Sequence, residues 1–237
     1  MSEKVLISKA SKLCLENSKQ YIQDAKLLFS SNSNGHALAL TVLSDIELGK
    51  AVIYHLCAKE LINEEVLPEQ FVTYFKEKKY ESLVNQTWWV GLVLASNIDA
   101  LVPSIFTLVQ YSEKIISQEK NTDLSHQTKT LMMDLIKEIE PKNKNIYELL
   151  NFACEGFFVN FKFNENYISS PLDVKNSLVK ERIQKVEERI ENGEPFLLLS
   201  FSEIQKKIGQ GLLKAAFKSI IPIRTQIKQL IIPLTSC

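Results

Sequence analysis

Residues 36–55 read HALALTVLSDIELGKAVIYH. The stretch holds no proline, and its apolar residues recur at three- and four-residue steps, the period of a helix with a buried face. His36, Leu40, Leu43, Glu47, Lys50 and Tyr54 fall on one stripe. Ala37, Ser44, Leu48, Ala51 and His55 fall on the adjacent one. Glu47 and Lys50 therefore lie one turn apart among apolar residues rather than on a free polar face. Charges placed so are costly unless paired, and an i,i+3 Glu–Lys pair partly satisfies itself. Gly49 between them costs roughly 1 kcal/mol relative to Ala in a helix, which points to close approach by a neighbouring helix or a ligand.

Working outward, the helix is expected over about 35–62. Upstream, Leu6, Ala10, Leu13, Cys14, Tyr21, Ala25 and Leu28 recur at helical steps, predicting a helix over 3–29. The run Ser30-Ser31-Asn32-Ser33-Asn34-Gly35 stops it and supplies a cap for the next. A connection this short makes the two helices antiparallel neighbours. Downstream, further helices are expected over 68–80, 82–119 (one helix, or two broken near Pro103), 123–140 and 144–156. The aromatic segment 157–171 reads as a short strand or an ordered loop. A polar helix is expected over 172–192, ended by Asn192-Gly193, and another over about 200–220. Seven glycines and seven prolines in 237 residues agree with long helices rather than a β-rich chain. The fold class is all-α: a helical bundle with long antiparallel helices and extra C-terminal helices. Residues 1–194 form the main domain, and 195–237 form a basic extension packed on it.

Composition narrows the function classes. Hydrophobic residues make up 45% and charged residues 24%, the balance of a globular chain. Lys+Arg and Asp+Glu are both 28, so the global basic excess of a dedicated nucleic-acid binder is missing. The tail is locally basic, with lysine or arginine at 206, 207, 214, 218, 224 and 228 against Glu203. Only Arg182, Arg189 and Arg224 can supply a guanidinium. Cys14, Cys57, Cys154 and Cys237 are widely spaced, as free thiols in a reducing compartment would be. No metal site is expected, because no close Cys or His pairs occur, and no cofactor, because no phosphate-binding glycine loop occurs. The N-terminus MSEKVLISKASK lacks the apolar core of a signal peptide. Stretches 36–58 and 88–111 are apolar enough to be tested as membrane spans, but their internal charges favour buried helices. A cytoplasmic protein is expected, with membrane association disfavoured. Trp88-Trp89 are expected in a core or a dimer seam, and His126 in solvent.

Glu47-Leu48-Gly49-Lys50-Ala51, on the second of two long helices, resembles the Glu-Glu-Leu-Gly-Lys-Ala signature of the AbiV-type abortive-infection proteins, a family within the HEPN class of helical domains. Ile46 stands where that signature has its first Glu. Tyr167-Ile168-Ser169-Ser170-Pro171 is similar to the family's Tyr-Val-Asp segment before a proline, without the Asp. Phe75-Lys76-Glu77-Lys78 resembles an aromatic–His–Lys stretch without its His. The resemblance implies an antiphage protein that halts growth or translation in infected cells. It also implies a homodimer, with a phage-encoded or translation-related protein as partner. The binding candidates are Glu47, Lys50, Tyr54 and His36. A divergent HEPN-type ribonuclease is the alternative, with Glu47, Lys50 and His55 as catalytic candidates and RNA as substrate. Whether the chain is an enzyme stays open, because no arginine has a histidine four to six residues downstream, as the Arg-x4–6-His motif of the RNA-cutting relatives requires. A regulatory or membrane-associated helical module is a third reading.

Overall fold

A computed structural model describes residues 2–67, 170–203 and 205–211, together with 103, 106, 107, 152, 156, 157, 159–162, 167–169, 213 and 214. The helices expected over 68–156 and the tail beyond 214 lie outside the described residues apart from those positions, as do Trp88, Trp89, His126, Arg224 and the 75–78 segment.

Two long antiparallel helices dominate: α1 over Glu3–Ser30 and α2 over Asn34–Ala58. Their contact is the largest between any two described elements. The seam is built from small residues. Ser11, Ser18 and Ala25 recur every seven residues on α1; Ala37, Ser44 and Ala51 do so on α2, and all six are buried. The hydroxyls are satisfied across the seam. Ser11 Oγ donates to the Ala51 carbonyl at 2.8 Å. Ser18 and Ser44 lie 3.0 Å apart, each within 2.8 Å of the other's carbonyl oxygen. These bonds fix one register, which also sets Ala25 opposite Ala37. Side chains this short let the backbones approach closely, and each satisfied hydroxyl contributes about 1 kcal/mol.

Of the expected buried face of α1, Cys14 and Ala25 are buried and Ala10 and Leu28 pack against the core, while Leu6 and Leu13 are corrected. Leu6 and Leu13 are about half exposed, at 49% and 53%, while Ser11, Cys14, Ser18, Ile22 and Ala25 face inward. The helix turns its small stripe, rather than Leu6 and Leu13, toward α2.

The turn between the helices is a Schellman motif. Asn32 takes φ 60°, Ser33 N–H donates to the Leu28 carbonyl at 2.8 Å, and Asn32 N–H donates to Phe29 at 3.0 Å. Asparagine tolerates this left-handed conformation; glycine adopts it at no steric cost. Asn32→Gly is therefore expected to raise stability by about 0.5 kcal/mol in urea unfolding. The far end of α2 repeats the motif with Glu60 at φ 61° and Leu61 N–H donating to Leu56 at 2.9 Å. The helix stops at Ala58 rather than reaching 62.

The aromatic segment resolves into an antiparallel ribbon, β1 over Asn160–Lys162 and β2 over Tyr167–Ser169, with Phe161 opposite Ile168. These six residues are the strand content of the described chain, and the fold is helical as expected. Ser170 then caps a 3-10 turn over Pro171–Asp173, its hydroxyl accepting from Leu172 N–H at 3.2 Å. Pro171 lies hard against α2. A Cβ on Gly35 would sit 2.6 Å from both Pro171 Cα and its carbonyl oxygen, and one on Gly156 would sit 2.5 Å from the Gly35 carbonyl oxygen. Gly35→Ala would gain on helix propensity elsewhere. Here it is expected to cost roughly 1–3 kcal/mol, because backbone has to move; a rise in melting temperature would show the contact to be loose.

The third long helix, α3, covers Asn176–Phe196 and runs parallel to α2 and antiparallel to α1. Asn34 at the start of α2 donates to the Val174 carbonyl at 2.9 Å and bonds Asn176. Lys19 and Lys26 of α1 pair with Glu194 and Glu187 of α3. Gly193 does not end this helix, contrary to the sequence expectation. A Cβ there would meet Leu48 Cδ1 at 3.3 Å, so the glycine admits Leu48, and the helix continues through Pro195 to Phe196. Beyond it, Ser202 and Gln205 form a reciprocal capping box, with Ser202 N–H to Gln205 Oε1 at 2.7 Å and Gln205 N–H to Ser202 Oγ at 3.3 Å. Residues 205–211 are helical. Lys206 and Gln210 reach the Glu60 carboxylate and carbonyl at 3.0 and 2.8 Å.

Candidate functional site

Helix α2 is the central element, buried along most of its length between α1 and α3. Three polar groups depart from that apolar setting, each at a different level of burial.

The Glu47–Lys50 pair lies on the rim. Lys50 Nζ donates to Glu47 Oε1 at 2.8 Å, and both side chains keep about one-sixth of their surface in solvent, at 17% and 15%. Across the seam Cys14 faces them. Burial, then the Glu47 carboxylate, push the Cys14 thiol up to about 12, and the thiol donates to that carboxylate. Cys14 is thus a neutral hydrogen-bond donor. Cys57 is likewise pushed up to about 12 by burial, and the two are free thiols. Tyr54 continues the stripe but is only 3% exposed, inside the core. Because the pair is partly wet, Glu47→Gln is expected to cost only about 1 kcal/mol. A loss of cooperative unfolding in that variant would instead mark the pair as essential to the fold.

His36 is exposed at the first turn of α2, its Nδ1 3.0 Å from Ser33 Oγ. It is eleven residues from Glu47, about 16 Å along the helix, so the structure does not join it to the pair. His55 is 5% exposed, with its ring edge-on to Phe196 and Phe201 at 5.4 and 6.3 Å. Desolvation, with help from Lys59, pulls it down to about 4. Among the described residues its Nε2 has no hydrogen-bond partner. Five residues of helix rotate His55 about 140° from Lys50. Lys50 and His55 therefore point to different sides of α2. Acid–base catalysis between them would need both at one reacting atom.

Sequence reasoning missed the most deeply buried charge. Asp45 is fully buried, and its Oδ2 accepts from Arg182 Nη2 at 2.5 Å and Arg189 Nη1 at 2.8 Å. Arg182 also lies 5.5 Å from the Phe152 ring centroid, a cation–π contact. Among the described residues Asp45 Oδ1 and Arg182 Nε have no hydrogen-bond partner. The signal was present in the spacing. Arg182 and Arg189 are seven residues apart, on the face that carries Val179, Ile183, Val186, Ile190 and Gly193. Arginines in such a stripe face a buried acid, and α2 offers Asp45 in its middle.

No helix among the described residues is long and apolar enough to cross a membrane. Comparison with curated proteins and with solved structures gave no match. The family model HEPN_AbiV, described as AbiV, matches residues 6–191, a range that holds the α1–α2 hairpin, the Glu47–Lys50 pair and the Asp45–Arg182–Arg189 cluster. The chain belongs to the AbiV family of HEPN-type abortive-infection proteins.

Proposed function

We propose that this protein is a cytoplasmic antiphage factor that arrests infected cells by binding, as a homodimer, a phage-encoded or translation-related protein. The observation that supports binding over catalysis is the division of the polar groups of α2. The Glu47–Lys50 pair reaches solvent, while His55, the one histidine near it among the described residues, is sealed among phenylalanines and turned away. An ion pair at the rim with about one-sixth of its surface in solvent, on a rigid helix, suits recognition, where truncating one charge costs affinity without unfolding the protein.

The test compares wild type with a Glu47→Ala/Lys50→Ala variant for plaque formation, and purified wild type for integrity of total cellular RNA. Lost protection with retained thermal stability, and intact RNA, is the expected result. RNA cut by wild type but not by a Lys50→Ala/His55→Ala variant would establish the ribonuclease reading in its place.

A further inference from the structure

We propose that residues 197–211 form a lid on the C-terminal end of α2, which opens locally, with the hairpin intact, and brings His55 to solvent. The segment is described over 197–203 and 205–211, and it lies beyond the range 6–191 matched by the family model. His55 is sealed from two sides. Phe196 closes one side from α3 at 5.4 Å, and Phe201 closes the other from the segment at 6.3 Å. Among the described residues the buried Nε2 of His55 has no hydrogen-bond partner. An unsatisfied buried nitrogen costs free energy, and water satisfies it once Phe201 lifts.

The segment is held more weakly than the helices beneath it. Each of α1, α2 and α3 buries several apolar side chains, whereas none of those described in 197–211 is fully buried. Leu197, Leu199, Phe201 and Ile208 pack only partly against the core, and Leu198 is 78% exposed. Gln205 is buried, and Leu213 just beyond the segment is the nearest buried apolar anchor downstream among the described residues. Elements with few buried apolar contacts open at the lowest free energy.

The polar ties of the segment converge on one residue. Lys206 Nζ reaches the Glu60 carboxylate at 3.0 Å, and Gln210 Nε2 donates to the Glu60 carbonyl at 2.8 Å. Glu60 also pairs with Lys4 of α1, and Lys206 with Glu203 of the segment itself. The Glu60 carboxylate is half exposed, so these pairs are screened by salt and individually weak. A cleft of about 500 Å³ interrupts the packing between the two sides. Ile7, Cys57 and Ile62 line it from the hairpin end, and Glu203, Lys206 and Gln210 line it from the segment. Close packing is what resists separation of two elements, and here it is incomplete. The open lid presents an imidazole that the closed lid withholds, so the segment gates the end of α2.

The test labels the full-length protein with diethyl pyrocarbonate, which acylates accessible neutral imidazoles, and follows each histidine by peptide mass spectrometry. Trypsin cleavage after Lys50 puts His36 and His55 on separate peptides. His36 is exposed and serves as the reference. In wild type His55 is expected to react at least about tenfold more slowly than His36, and to speed up relative to it as salt is raised. Lys206→Ala/Gln210→Ala, which cuts both ties to Glu60, is expected to accelerate His55 about fivefold or more at low salt and to blunt the salt response. Lys19→Ala/Lys26→Ala removes two exposed ion pairs between α1 and α3 instead, and is expected to stay within about twofold of wild type. The proposal is overturned if wild-type His55 reacts as fast as His36, if neither salt nor the Lys206→Ala/Gln210→Ala change accelerates it, or if both double variants accelerate it equally, which would mark global unfolding. The salt series needs no substitution, so a variant that fails to fold leaves the proposal open to refutation. None of these readouts depends on an infection phenotype, so they stand apart from the test of the defence function.

Discussion

Asp45→Asn is expected to lower the unfolding free energy by roughly 3–5 kcal/mol in urea at neutral pH, the largest single-residue effect outside the apolar core. The carboxylate is fully buried and both guanidiniums nearly so, at 6% and 4% exposure. Asparagine keeps the volume but removes the charge, leaving two cations sharing one neutral oxygen where water cannot reach. The cost comes from the stranded partners rather than from a lost attraction, so it should be non-additive. Once Arg182→Met has removed one stranded cation, the further cost of Asp45→Asn should fall, giving an interaction energy on the order of 1–3 kcal/mol. A loss under 1 kcal/mol for Asp45→Asn would mean that the cluster is hydrated. The comparison with Glu47→Gln is the informative one. Two carboxylates two residues apart on one helix should differ several-fold in cost, because one reaches solvent and the other does not.

The cluster also explains why α2 and α3 keep one alignment. Apolar helix faces slide with little penalty, whereas one carboxylate clamped by arginines seven residues apart fixes both register and rotation. Gly193 beneath Leu48 and Asn34 against Val174 and Asn176 hold the same alignment at two other heights of α2. Gly35, Gly156 and Pro171 lock the connecting segment onto the start of α2. The Glu47–Lys50 pair is thereby presented on a helix fixed along its whole length, which is what a recognition surface needs to lose little entropy on binding.

Much of this was legible in the sequence, and the failures have physical causes. The hairpin followed from periodicity and from the Ser-Asn run, because both signals are local. The Glu47–Lys50 pair followed from helical spacing for the same reason. The inward face of α1 was misjudged at Leu6 and Leu13, and Ser11 and Ser18 were overlooked, because leucines outweigh serines in any hydrophobic reading. Serine hydroxyls that find carbonyls 26 and 40 residues away satisfy themselves only in the folded hairpin. Asp45 was read only as a charge that argued against a membrane span, since its partners lie 137 and 144 residues downstream. The end of α3 was misplaced because Asn-Gly is a local stop signal, and a tertiary contact with Leu48 overrode it.

Acidification should expose His55 as a second large effect. Its folded-state value is about 4, against about 6.5 in the unfolded chain. Between those values the unfolded chain binds a proton at this site and the folded chain does not, so stability rises with pH through the window. The contribution is complete above about pH 6.5 and is lost as pH falls toward 4. The slope approaches 1.4 kcal/mol per pH unit, or roughly 2–3 kcal/mol between pH 6.5 and 4.5. Glu60, held below the usual carboxylate range by Lys4 and Lys206, loses its ion pairs only at more acid pH, so the window belongs to the histidine. Urea midpoints of wild type and His55→Leu, measured across that window, isolate the effect, because His36 and His126 remain in both proteins. The wild type should lose stability on acidification and the variant should lose much less. Parallel curves would mean that His55 takes up its proton in the folded protein and that water reaches its ring. The imidazole would then be available for acid–base chemistry, and the ribonuclease reading would regain the group that the phenylalanine pocket now withholds from it.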